Sequence, residues 1–185
     1  QYPCDSVIIA CGSPASNVEG SSATGYALAE KLGHTIVKPL PSLCGIRGKD
    51  NYYAKWAGSR MDGRITLEVN GKTIGQEQGE ILFTEYGISG ISVFQLSRYA
   101  IRALEAGKKV TLSVNFLPEY TEDSLRGYIK KRQERCPYQL EGEWFLGLLP
   151  DKLIRMFHKQ KKDVFQMITA YPLEVKGSSG FEQAQ

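Results

Sequence analysis

Between Gly79 and Ala100 the chain reads GEILFTEYGISGISVFQLSRYA, and this stretch holds its densest set of groups able to do chemistry. An apolar run ends at Phe83, then come Thr84, Glu85, Tyr86, Gly87, Ser89 and Gly90, and a helical pattern follows. Two glycines and a serine ahead of a helix leave backbone N–H groups and a hydroxyl at the positive end of the helix dipole. Such a cluster suits a phosphate, a carboxylate or the edge of a flavin. Glu85 and Tyr86 add possible acid–base groups. The same residues also suit a tight turn that only packs the helix, and both readings stay open here.

A second strand–loop–helix layout lies at Ser6–His34. Val7 to Ala10 is continuously apolar, as in a strand covered on both faces. A turn of small residues follows at Cys11, Gly12 and Ser13, then a Gly/Ser-rich loop with glycines at 12, 20 and 25. A phosphate-binding P-loop is excluded, because no lysine lies between Ser6 and Glu30, and the dinucleotide pattern G-x-G-x-x-G is missing. A flexible connecting loop is the plainer reading.

Metal chemistry finds no support in the spacing. Cys4, Cys11, Cys44 and Cys136 form no C-x-x-C pair, and neither His34 nor His158 stands at ligand spacing from them. Four reduced thiols are preferred over two disulfides, and both histidines read as residues at helix ends.

The elements that must carry these groups follow from periodicity. Tyr26, Leu28, Ala29 and Leu32 give a helix from about Ser22, with Ser22 or Thr24 as N-cap and Gly33 as stop. His34 to Val37 reads as a short strand. Arg64 to Val69 alternates and meets Asn70-Gly71, the dipeptide of a type I′ hairpin. Return strands are expected near Thr73–Gln76 and Glu80–Phe83. Val93, Leu96, Ala100, Ile101 and Leu104 share one helical face that Gly107 ends. Val110 to Phe116 alternates as a strand. Helices are then predicted from Thr121, over about 143–158 with a break at Pro150, and over about 161–170. Tyr171 to Val175 returns as a strand.

Whole-chain properties set the class. With 185 residues, 42% hydrophobic and 23% charged, the chain has the composition of a globular domain long enough for a real core. No apolar run approaches the roughly 20 residues of a membrane span, and no basic-then-apolar leader opens the sequence, so a cytoplasmic chain without a membrane partner is expected. The formal charge is only +3. The densest basic group, Lys159, Lys161 and Lys162, reads as a solvated helix end, and no nucleic-acid partner is expected.

Taken in order, these segments resemble the interior of the BaiN-like NAD(P)/FAD-dependent flavoproteins, also called aminoacetone oxidase-like. Ala10-Cys11-Gly12-Ser13 stands where that family has A-T-G-G, and Gly20 to Tyr26 stands where it has G-S-T-G-D-G-Y. Gly79-Glu80 and Phe83 to Ile91 match its G-E-x-x-F-T-H-x-G-x-S-G-P loop. Leu96-Ser97-Arg98-Tyr99, Leu148-Leu149-Pro150 and Gly177 to Ala184 match further family segments. Departures are Cys11, Ser13, Thr24, Glu85 in place of histidine, and Ile91 in place of proline; the last two put histidine chemistry at that loop in doubt.

The resemblance implies an α+β fold: a β-rich, barrel-like lobe interrupted by a small helical lobe, inserted into a split FAD-binding Rossmann-type protein. It implies residues 1–20 as a remnant strand and linker, 21–116 as the β-rich lobe, 117–170 as the helical lobe, and 171–185 as the return strand and linker. FAD would be the parent's cofactor and NAD(P)H its reductant, with Ala10 to Ser13 giving backbone contact to FAD. Thr84 to Gly90 would face an undefined small-molecule substrate. Gln1 in place of methionine agrees with an excised piece, inactive alone, whose partner is the parent FAD domain. An unpaired apolar strand at Val7–Ala10 predicts self-association. The alternative is a self-contained, non-catalytic small-ligand or protein-interaction module.

Overall fold

The computed structural model describes residues 3–50, 53–160 and 162–185. Its centre is a closed antiparallel barrel in the order β1-β4-β3-β2-β5-β6. The strands are β1 (Ile46–Gly48), β2 (Arg60–Val69), β3 (Lys72–Thr84), β4 (Gly87–Ser89), β5 (Val110–Asn115) and β6 (Tyr171–Ser178). Alternation decides which side chains fill it. Ile65 and Leu67, then Val110, Leu112 and Val114, then Tyr171, Leu173 and Val175 point inward and are buried.

Asn70 and Gly71 take positive φ (51° and 78°), so the β2–β3 hairpin closes through the turn its sequence predicts. Helix α1 (Thr24–Lys31) lies in the N-terminal arm. Helix α2 (Ile91–Glu105) lies on the barrel with Val93, Leu96, Ala100 and Ile101 buried, and Gly107 ends it at φ 70°.

Three helices, α3 (Glu122–Arg135), α4 (Asp151–His158) and α5 (Val164–Thr169), stand between β5 and β6. Thr121 Oγ1 accepts from the Ser124 amide (3.2 Å) while Ser124 Oγ accepts from the Thr121 amide (2.9 Å), a reciprocal cap that starts α3. Asp163 caps α5, accepting from the Phe165 amide at 2.9 Å, and also pairs with Arg126. The Arg126 guanidinium beside it holds the Asp163 carboxyl below its usual range. Barrel and helices share one apolar core, joined at Phe116. Its ring centroid lies 5.5 Å from Phe83, 5.1 Å from Phe157 and 6.1 Å from Tyr171.

Several expectations are corrected. Val7 to Ala10 forms no strand and is not buried: Ile8 is 92% exposed. The barrel strands pair in a closed ring, which leaves that segment no edge to join. His34 to Val37 is likewise not a strand. The α1 N-cap is Ala23 rather than Ser22 or Thr24, and its side chain makes no cap.

The two expected return strands are one, β3, running through Gly75 and Gly79. Gly87 to Ser89, read as loop, is strand β4, and β1 was not anticipated. Residues 143–150 are no α-helix; a single 3-10 turn occupies Glu141–Glu143, and α4 starts after Pro150. Gln1 and Lys161 lie outside the described residues. All four cysteines are free, and burial raises the Cys44 thiol pKa. Among the described residues no helix is long and apolar enough to cross a membrane, and no group of three or more His, Cys, Asp or Glu could hold a metal.

Candidate functional site

The turn between β3 and β4 is Glu85–Tyr86, and its position is set by glycines. β4 pairs back on β3 (Thr84↔Gly87, Leu82↔Ser89) and sideways on β1 (Arg47↔Gly87). A Cβ on Gly87, at φ 151°, would stand 2.3 Å from the Ile46 carbonyl oxygen, so only glycine lets β4 lie this close to β1. The Gly48 amide donates to the Tyr86 carbonyl at 2.9 Å and clips β1 to the turn. Trp56 Nε1 donates to the Thr84 carbonyl at 3.1 Å from below.

Beside this turn opens a cleft of about 440 Å³ lined by Arg47, Lys49, Asp50, Glu85, Tyr86 and Lys176, with Gly48 and Gly177. The Arg47 guanidinium lies 5.2 Å from the centroid of the Tyr86 ring, and the Tyr86 hydroxyl donates to Gln183 Oε1 at 3.3 Å. Lys49 pairs with Glu174 outside the lining, and that contact holds the exposed Glu174 carboxyl below its usual range. Arg47 and Lys176 thus share the cleft lining with Asp50 and Glu85. The set offers cations to an electron-rich oxygen, and a phenol and a carboxylate for proton transfer.

Of the six residues expected here, Glu85 and Tyr86 line the cleft. Thr84 turns its carbonyl to Trp56, and its Oγ1 is buried without a partner. Gly90 caps α2 at φ 112°, where a Cβ would meet the Glu80 carbonyl at 2.6 Å. In the first turn of α2, Ser92 Oγ donates to that same carbonyl at 3.1 Å. Gly87 and Ser89 serve as strand. The sequence reading missed Arg47, Lys49, Asp50 and Lys176. No local signal marked them; Gly45 and Gly48 flank Arg47 because Cβ atoms there would meet the hydroxyls of Tyr86 (2.6 Å) and Tyr53 (2.1 Å).

Ala10, Cys11, Gly12 and Ser13 lie apart from the cleft, along the arm. Cys11 and Ile9 rest on Gly25 of α1, and Gly12 takes φ 75°. Ser21 Oγ donates to the Ser13 carbonyl, and the Ala15 amide donates to Ser13 Oγ at 3.2 Å. The arm then reaches the C-terminal tail, where Ser16 Oγ donates to the Ala184 carbonyl at 2.6 Å. Since Gln183 holds Tyr86, the short turn Phe181–Gln183 stands between the two expected sites and touches both sides.

The family model described as HI0933-like protein barrel and H2TH domain matches residues 40–185. The 3-dehydro-bile acid delta(4,6)-reductase of Clostridium scindens is 34% identical over all of this chain and 49% of its own length. The ribosomal RNA dihydrouridine synthase of Haemophilus influenzae is 26% identical over 86% of this chain and 37% of its own. That of Escherichia coli is 25% identical over 98% and 47%. The chain therefore spans about half the length, or less, of the curated relatives it matches.

Proposed function

Since the chain belongs to the HI0933-like, BaiN-type family of flavoprotein oxidoreductases and carries its barrel and H2TH domain, we propose that it forms the substrate-side wall of an FAD-dependent reductase using NAD(P)H. The observation that carries this reading is the 34% identity to a reductase across the full chain. The domain is inserted in a larger, cytoplasmic protein and is inactive without the remaining FAD-binding part. A delta(4,6)-reductase and a dihydrouridine synthase, read as chemistry, both add hydrogen across a carbon–carbon double bond. We carry that reaction class to this protein, with a conjugated carbonyl compound as substrate.

The arm fits the role of an edge contact to FAD. Among the described residues the amides of Ala10, Cys11, Gly12 and Ser13 have no protein acceptor, and the strip is mostly exposed. The rest of the FAD-holding surface comes from elsewhere in the parent. The chemistry FAD supplies when bound is the relay of a hydride from nicotinamide to substrate. In the 440 Å³ cleft, Arg47 and Lys176 stabilise the negative charge that gathers on the carbonyl oxygen as the double bond accepts hydride. Tyr86, oriented by Gln183, then gives the balancing proton to the neighbouring carbon, and Glu85 in the same cleft serves to restore it.

The alternative, a self-contained binding module, draws its support from the docked tail, where Ala184 is buried and tied to Ser16. One pair of measurements separates them. The intact protein should show flavin absorbance and oxidise NADH or NADPH on adding a conjugated enone. The 185-residue chain alone should bind no FAD up to roughly millimolar, about −4 kcal/mol. Micromolar FAD binding by the chain alone would overturn the insert reading, and an intact protein without flavin would overturn the reductase.

A further inference from the structure

Some surface cations of this protein are paired: Lys38 with Glu105, Lys49 with Glu174, Arg60 with Glu80, and Arg126 with Glu122 and Asp163. One groove instead gathers several that are not. It has a volume of about 220 Å³, runs between α4 and the turn Tyr53–Lys55, and is lined by Lys55, Lys152, Arg155, Met156 and Lys159. No carboxylate lines it. Lys152 and Arg155 lie three apart on α4, Lys159 follows four further on at its C-cap, and Lys55 stands opposite.

Among the described residues, Lys55, Lys152 and Lys159 make no ion pair, and Arg155 has only a loose one, 3.7 Å to an exposed Asp151. The groove is also held in shape. Lys152 Nζ donates to the Ala57 carbonyl at 2.7 Å and fastens α4 to the barrel turn, while the buried Met156 forms the floor.

We propose that this groove is a binding site for a ligand carrying at least two phosphates. From Lys152 to Lys159 the helix advances roughly 10 Å, too far for one small monoanion to meet all the cations. A diphosphate, or two successive phosphodiesters, presents two anionic groups on which long lysine and arginine side chains from along that length can converge. Arg155 offers a forked donor to one phosphate and the lysines act as point charges on the other. The groove lies outside the Arg47–Tyr86 cleft, so the proposal does not depend on the reductase reading. The phosphates could belong to a free nucleotide-like molecule or to a single-stranded nucleic acid, and the test separates these.

The test measures two probes on the intact protein: inorganic pyrophosphate by calorimetry, and a short fluorescein-labelled single-stranded RNA by anisotropy at several salt concentrations. The triple variant Lys55→Gln, Arg155→Gln, Lys159→Gln spares Lys152, which fastens α4. The control variant Lys31→Gln, Lys72→Gln, Lys108→Gln removes equal charge elsewhere. Binding of pyrophosphate alone identifies a small-molecule ligand, and binding of the RNA identifies a phosphodiester backbone. Either supports the site if the triple variant weakens it at least tenfold while the control does not. For RNA the salt slope should also fall by about 2, roughly 0.7 for each lost contact. No binding of either probe by the unmodified protein, or an equal loss in the control variant, overturns the proposal.

Discussion

The barrel with its helices and the N-terminal arm use apolar residues in opposite ways. From Cys44 onward the largest of them fill one core, with Trp56, Phe83, Phe116, Phe157 and Tyr171 all at or near zero exposure, though Ile91 and Tyr138 among others stay exposed. In the arm, Val7, Ile8, Val18, Leu28 and Leu32 face outward, and α1 buries only Gly25. The arm is no less hydrophobic in sequence; it lacks a surface of its own chain to cover it. The match to the HI0933-like domain begins at residue 40, where the arm is ending. Apolar patches of this kind on one side of a domain mark a contact surface, and under the proposed function that contact is the parent FAD domain.

The contrast can be broken most sharply at Phe116. Phe116→Ala empties the point where barrel and helices meet and should cost about 3–5 kcal/mol, lowering the melting temperature by roughly 10 °C. A melt unchanged by this substitution would dissolve the distinction between core and arm.

A smaller effect is expected at the rim of the helical lobe. Asp163→Ala removes the α5 cap and the Arg126 contact, for a loss of about 1 kcal/mol. Because Arg126 lowers the folded carboxyl pKa below its ordinary 3.8, the stability Asp163 adds is full above that value. It fades as pH falls through the lower folded one. Urea titrations of both proteins at neutral pH and below pH 3.8 should show a gap that closes in acid.

The smallest effect belongs to the arm. Ile8→Ser, at a site 92% exposed, should change the chain's stability by less than about 0.5 kcal/mol. It should instead lower any self-association seen by light scattering over a dilution series. A stability loss as large as that of Asp163→Ala would mean that the arm packs on the domain after all.

How much of this was legible in sequence depended on whether a signal was local. Asn70-Gly71, Thr121 with Ser124, and Gly107 each specify a turn or cap within four residues, and each stands as read. β1 and β4 are three residues long, too short for any period to show, and they exist only because closing the ring gives them partners. Two strands were expected near Thr73–Gln76 and Glu80–Phe83, and the chain runs through Gly75 and Gly79 as one. Bare backbone lets Leu96 of α2 come within 3.2 Å of the Cβ position at Gly75. Val7 to Ala10 has strand composition, but a strand is a pairing and no partner reaches it. Tyr86 and Glu85 were found from residue type, whereas Arg47 and Lys176 arrive from β1 and β6, more than a hundred residues apart, and nothing local announces that meeting.

The ring itself carries a consequence for how the chain comes into being. β6 is seated between β1 and β5, and its Ser178 pairs with Ile46 across about 130 residues. A growing chain can form the β2–β3 hairpin early, but it cannot close the barrel until the last strand has left the ribosome. Loop closure over that distance is entropically costly and slow. The helices α3 to α5 occupy much of the intervening chain, and by folding first they shorten the span that remains to be searched. The helical segment is then a folding spacer as well as a lobe, and the lifetime of the open sheet before β6 arrives sets the window in which this protein is most exposed to misassembly.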